Sequence, residues 1–298
     1  MDLAKPGSTL LSHTDILPLT CNRSGTCCHG KAVWLNPWEL ARLAAAKNMT
    51  PRAFRDRFCE FGGIRLRFDG ESRWKGQAAC SQYFPGTGCS VHKDRPLACR
   101  LFPLGRQRQG ERFHYMHEGR GFPCLEDCQD VKALPQLTVA DYLAAQDTQP
   151  GETAQDEYLE LVQRLADGAF GLLLETGLAA SGDRLTLGLW REAGNAPPVD
   201  LARRLGPEWI DRLMLPDLDG GLEDPAEFCR RHNDKLEEET QAAFGGLERF
   251  EEAREASVLM IGLALHLGRG LGADPSELSM HWVRSAIGLG ALDNDAVN

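Results

Sequence analysis

The sequence predicts an α+β fold, predominantly helical, in which an irregular cysteine-rich domain with a short hairpin precedes an all-α domain. Three observations lead there. Eight of the ten cysteines, Cys21, Cys27, Cys28, Cys80, Cys89, Cys99, Cys124 and Cys128, lie in the first half of the chain and outside any helical stripe. The stretch from Cys80 to Cys128 is rich in Gly and Pro and ill suited to a regular core. Beyond about residue 150, apolar residues recur at helical spacing.

Taken in order, Asn36-Pro37-Trp38-Glu39 reads as a helix start, with Asn36 as N-cap, Pro37 at the first helical position and Glu39 closing a capping box. Leu40, Leu43 and Ala44 supply its apolar face. Thr50-Pro51 opens a second helix, and Phe54, Phe58 and Phe61 follow at helical spacing as core residues. Cys59 beside them reads as a packed free thiol. Residues 64–78 predict a hairpin, because Ile64, Leu66 and Phe68 alternate with Arg65 and Arg67 ahead of an Asp69-Gly70 turn.

Glu111 to His117 predicts one short strand, and Thr138-Val139-Ala140-Asp141 a capped helix start. Thr148-Gln149-Pro150-Gly151 reads as a linker, which divides the chain into a cysteine-cluster domain at 1–150 and an acidic helical domain at 151–298. In the second part, one stripe is Tyr158, Leu161, Val162 and Leu165; Leu201, Leu205 and the Trp209–Leu213 region suggest another. Phe228 and Leu236 mark a further helix, with Cys229 as a buried or inert thiol. The last helices fall around Ala253 to Leu267 and Pro275 to Ile287.

Charge is divided unevenly. Residues 1–150 hold 20 Lys+Arg against 15 Asp+Glu, and residues 151–298 hold 13 against 28, so the cysteine-bearing half is the basic half of a chain of net charge −10. A surplus of five cations over 150 residues, without a basic run interleaved with aromatics, is a weak footprint for nucleic acid and argues against that partner. No stretch has the roughly 18 uncharged apolar residues of a membrane span. Met1 to Thr20 carries Asp2, Lys5, His13 and Asp15 in place of the apolar run of a secretory signal. A cytoplasmic location is the expectation, and there thiols stay reduced.

In a reducing compartment a dense cysteine pattern points to metal or catalysis. Zinc in a structural site takes four ligands, commonly thiolates, and iron–sulfur clusters commonly take four cysteines, so eight can serve two sites. A metal would also supply order to the Gly/Pro-rich stretch. Arg95 and Arg100 have the chemistry to offset thiolate charge or to donate to sulfur or backbone. Surface salt bridges are the plain alternative. His29 and His92 are secondary candidates as ligands, and His114 and His117 weaker ones. No Ser/His/Asp constellation, phosphate loop or HExxH motif provides a separate active site.

Cys21 to Cys28, then Val33-Trp34-Leu35-Asn36-Pro37-Trp38-Glu39, Cys80, and Cys89 through Arg95-Pro96-Leu97-Ala98-Cys99-Arg100-Leu101-Phe102-Pro103-Leu104, together resemble the zinc- or iron-chelating cysteine-cluster family with the CxxCxxCC signature, the YkgJ-type proteins. The Arg-Pro-x-x-Cys-Arg-x-Phe-Pro segment is the most specific part. The likeness extends to Cys124 and Thr138–Leu143, about half the chain. One departure stands out: Ser24 occupies the second cysteine position, and serine is a poor ligand for soft metals. Either the site has one thiolate fewer or Cys128 completes it.

The resemblance implies bound metal ions, with an iron–sulfur cluster or iron placed ahead of zinc for so thiol-rich a site. An iron-dependent oxidoreductase or electron-transfer enzyme is the alternative. A methyl-transfer protein related to flagellin lysine methylases ranks third, because no Gly-rich turn is present to cradle S-adenosylmethionine. The roles open to the acidic helical domain are to hold a protein partner or to cover the metal site.

Overall fold

A computed structural model describes residues 9–17, 25–109, 112–117, 136–175 and 184–291. The elements run β1 (Thr9–Leu11), β2 (Ile16–Leu17), α1 (Pro37–Ala46), α2 (Pro51–Phe58), β3 (Cys59–Glu60), β4 (Arg65–Leu66), β5 (Gly70–Trp74), β6 (Gln77–Ala79), β7 (Tyr83–Phe84) and β8 (Gly88–Cys89). They continue with α3 (Leu97–Leu101), β9 (Leu104–Gln109), β10 (Arg112–His117), β11 (Leu137–Thr138), α4 (Val139–Gln146), α5 (Gln149–Glu175) and α6 (Arg184–Asn195). The chain ends in α7 (Pro198–Met214), α8 (Pro225–Phe244), α9 (Phe250–Gly270) and α10 (Pro275–Gly288). This is the α+β, mainly helical architecture the sequence predicts. Among the described residues no helix is long and apolar enough to cross a membrane.

The chain forms two compact units, one built from residues 1–33 and 66–152, the other from 34–65 and 153–298. The first is the cysteine-bearing one. Its three-stranded antiparallel sheet has the order β1-β10-β9, with Tyr115 opposite Arg106 on one side and Leu11 on the other. Leu97, Leu101, Leu104, Tyr115, Val139, Tyr142 and Leu143 are buried as one cluster, with Leu11 and Leu137 packed against it. This cluster seats α3, which carries Cys99, on the sheet and α4. Burying a Leu or Val here contributes about 1.5–3 kcal/mol each.

Local capping explains where the helices start. Asn36 accepts from the Glu39 amide at 2.9 Å while the Glu39 carboxylate accepts from the Asn36 amide at 3.1 Å, the predicted capping box. Thr50 and Thr138 cap α2 and α4 in the same way. The segment expected to be a linker at 148–151 is instead the start of α5. Asp147, at φ 51, makes the bend, and Pro150 falls in the first helical turn, where its missing N–H costs nothing.

The predicted hairpin exists, but not with the predicted turn. β5 and β6 are joined at Lys75-Gly76, with φ 48 and 81, so both central residues are left-handed as a tight two-residue turn requires. Gly70 serves a different purpose: a Cβ there would lie 3.0 Å from the Ala79 carbonyl oxygen, so the close approach of the strands makes a side chain a tight fit.

In the helical unit α9 is buried all round, with Ile261, Leu263, Ala264, Leu265, His266 and Leu267 each at 0% exposure, which makes it the central helix. Gly206, at φ 78, followed by Pro207 breaks the regular geometry inside α7. Deep in this unit His232 Nε2 lies 3.1 Å from the Arg212 carbonyl and Nδ1 lies 3.0 Å from the Tyr158 hydroxyl. A carbonyl can only accept, so in the neutral ring Nε2 carries the proton and Nδ1 accepts from Tyr158. Tyr158 also meets the Cys229 thiol, which burial holds in its protonated form.

Candidate metal centre

Cys27 and Cys28 sit in a single 3₁₀ turn, Thr26–Cys28, entered through Gly25 at φ 79. Glycine is required there twice over, since a Cβ would also lie 2.3 Å from Cε2 of Tyr83. The turn is closed by the Cys28 amide donating to the Gly25 carbonyl at 2.9 Å and the His29 amide donating to Thr26 at 3.2 Å. His29 adds a side-chain clasp. Its Nδ1 lies 3.0 Å from the Gly25 carbonyl and its Nε2 3.2 Å from the Ser72 hydroxyl. In this arrangement both ring nitrogens are engaged, so His29 braces the turn.

The turn is fastened to the next cysteine through the main chain. The Cys80 amide donates to the Cys28 carbonyl at 2.7 Å, and Gly30 donates to Ala78 at 3.4 Å. Past Cys80 the chain doubles back in the β7–β8 ribbon, where Cys89 stands opposite Tyr83. The Tyr83 amide donates to the Cys80 carbonyl at 2.9 Å and the Ser90 amide donates to Gln82 at 2.8 Å. These bonds bring Cys28, Cys80 and Cys89 together in one loop cluster. Cys99 arrives separately on α3.

Burial pushes the Cys80 thiol up to about 12; the Gln82 amide pulls it down, and the neighbouring Cys99 and Cys89 push it further up. The last two influences place both thiols within electrostatic reach of Cys80. At neutral pH Cys80 therefore stays protonated unless a cation takes the proton's place, and binding a metal there releases it. Among the described residues no three His, Cys, Asp or Glu side chains converge closely enough to hold a metal by themselves. Cys21, Ser24, Cys124 and Cys128 lie outside the described residues. In kind, the donors fit zinc or iron, which favour thiolates.

The Arg-Pro-x-x-Cys-Arg segment is organised by its two arginines, and their partners are chiefly main-chain oxygens. Arg95 donates to the His92 carbonyl at 2.7 Å and to Oε1 of Gln146 at 2.6 Å. Arg100, only 6% exposed, donates to the carbonyls of Arg95 at 3.0 Å and Gln146 at 2.8 Å, and also to that of Lys93. Its reach to Asp147, at 3.3 Å, is a minor addition. Of the expected roles, donation to backbone is the one these bonds display. The guanidinium fork ties α3 to the loop before it and to the end of α4.

Two described cysteines stand apart. Cys59 and Cys229 are buried in the helical unit, 3% and 0% exposed. His114 and His117 lie on β10, and His92 approaches the Arg95 guanidinium with Nδ1 at 3.4 Å. The residues that pattern reading passes over are Lys31, Ser72, Tyr83 and Gln146, each acting through a contact distant in sequence, and Gln82, which acts on Cys80 and Ser90 nearby; none belongs to a paired spacing that would single it out.

Thiols are the donors that zinc- and iron-binding domains commonly use. Residues 20–118 match the model of the CxxCxxCC family, whose description reads "Putative zinc- or iron-chelating domain". The match spans about a third of the chain and contains Cys21, Cys27, Cys28, Cys80, Cys89 and Cys99, while Cys124 and Cys128 lie beyond it. No curated protein and no solved structure matches the chain.

Proposed function

We propose that the cysteine-bearing part of the chain, residues 1–150, binds iron or zinc through thiolates drawn from Cys21, Cys27, Cys28, Cys80, Cys89, Cys99, Cys124 and Cys128. An iron–sulfur cluster is placed ahead of mononuclear iron and of zinc, because eight thiols exceed what one mononuclear site uses. The observation that carries the reading is the Cys80 thiol. It is buried and within electrostatic reach of Cys89 and Cys99, and the Cys80 main-chain amide donates to the Cys28 carbonyl. A buried thiol within electrostatic reach of two others is a poor place for bare thiolates and a better one for thiolates around a cation.

Metal analysis and an absorption spectrum of protein purified without oxygen test it. Iron with acid-labile sulfide and a brown colour supports the cluster, iron without sulfide a mononuclear site, and colourless protein with stoichiometric zinc a zinc site. Folded protein that holds no metal and takes up none of these ions overturns the proposal.

A further inference from the structure

Lys31 is a residue that no cysteine spacing points to. Three positions after Cys28, it leaves the turn that holds Cys27 and Cys28 and crosses to α3. Its ammonium donates to the Ala98 carbonyl at 2.9 Å and lies 4.5 Å from the centroid of the Phe102 ring. Ala98 and Phe102 bracket Cys99 on both sides in sequence. The side chain therefore joins the segment after Cys27 and Cys28 to the helix carrying Cys99, and sets a cation beside the residue that precedes Cys99.

Two properties of the contact bear on a thiolate site. The first is geometric: the Arg100 guanidinium ties α3 to the end of α4 and Lys31 ties it to the segment after the Cys27–Cys28 turn, so a side-chain tether acts on its position as well as its apolar seat. The second is electrostatic. Four thiolates around a divalent ion leave about two negative charges, and a neighbouring ammonium lowers the cost of assembling them.

We infer that Lys31 is a positioning residue of the metal site, which tethers the Cys99 helix to the Cys27–Cys28 turn and supplies the cation that balances the thiolates there. The inference rests on the metal-binding reading above. A lysine contact outside the ligand set acts on affinity the way outer-shell partners do, where a single change typically costs about 10–100-fold.

The test uses the full chain with Lys31→Met, Lys31→Gln and Lys31→Arg. Zinc affinity is read by competition with a chromogenic chelator, and the sulfur-to-metal charge-transfer band is read after cobalt loading. Lys31→Met should bind zinc about 10–100-fold more weakly and shift the cobalt band to lower energy, because sulfur lone pairs lose a nearby positive charge. Lys31→Arg should restore most of both, and Lys31→Gln, which keeps a donor for Ala98 without the charge, should fall between. Should Lys31→Met fail to fold, Lys31→Gln carries the comparison.

Wild-type zinc affinity together with an unshifted cobalt band in the uncharged variants overturns the role of Lys31 while leaving metal binding intact. A wild-type chain that binds neither metal overturns the metal-binding reading itself, so the two failures are distinct.

Discussion

The Cys80 amide donates to the Cys28 carbonyl at 2.7 Å, so two cysteines far apart in the chain are joined through their own backbones. A bond of this kind survives replacement of either side chain. It follows that Cys80→Ala and Cys28→Ala should leave the turn formed yet weaken metal binding by more than the roughly 10–100-fold typical of an outer-shell change. Cys59→Ala and Cys229→Ala should leave metal content unchanged and cost about 1 kcal/mol or more of stability as buried truncations. Metal quantitation beside denaturant unfolding separates the two groups. Equal metal loss across all four variants would contradict the assignment.

The entrance to the same turn makes a sharper stability prediction. Gly25→Ala forces a side chain into left-handed backbone, at about 1–2 kcal/mol, and drives its Cβ to 2.3 Å from the Tyr83 ring. Tyr83→Leu in the same chain removes the collision but not the backbone strain. A double-mutant cycle should therefore show Gly25→Ala costing less in the Tyr83→Leu background, with a coupling of at least about 0.5 kcal/mol. Strict additivity would mean that the ring moves aside freely.

What could be read from sequence, and what could not, divides along locality. The caps at Asn36, Thr50 and Thr138 were legible because donor and acceptor lie within three residues. The helical unit was legible because a stripe such as Tyr158, Leu161, Val162 and Leu165 needs only its own period, and all four are buried. The hairpin turn was not, because Asp69-Gly70 is a common turn dipeptide while Lys75-Gly76 requires a lysine at φ 48. The strand pairing settles that choice. The grouping of 34–65 with 153–298 was equally hidden, since nothing within that segment identifies distant partners. At the site, cysteine spacing nominated the thiols and the motif nominated Arg100 as a backbone donor. Which carbonyls Lys31, His29 and Arg100 reach was hidden, because every residue has a carbonyl and no motif marks one.

Arg100 offers a test of that last point. Lysine keeps the charge but cannot reach the carbonyls of Lys93, Arg95 and Gln146 together, as the guanidinium fork does. Arg100→Lys should destabilise the cysteine-bearing unit by about 2–4 kcal/mol, the loss of one or two hydrogen bonds from a buried charged group. Arg95→Lys, at a more exposed position, should cost about 1 kcal/mol. Hydrogen exchange of the α3 and α4 amides should report the loss locally. Equal and small effects would place the order of this segment elsewhere.

Two buried histidines in the helical unit contribute to the response to acid. Burial lowers His232 to about 4, opposed by its bond to the Arg212 carbonyl and helped slightly by Lys235. Burial lowers His266 to about 3, helped by the Arg269 charge and opposed by the Phe61 main chain. An unfolded chain titrates histidine near the ordinary value of about 6.5. Between that value and the folded ones the unfolded state binds more protons, so stability rises with pH in this window. Their contribution is fully present above about pH 6.5 and is lost as pH falls toward 4 and then 3. Each histidine adds a slope of up to about 1.4 kcal/mol per pH unit. His266→Met, which keeps an apolar side chain of similar bulk in place of the ring, should reduce the slope of unfolding free energy between pH 5 and 6.5 by up to about 1.4 kcal/mol per pH unit. Denaturant titrations of chelator-treated protein at several pH values measure it directly, and an unchanged slope would show that His266 titrates normally in the folded chain.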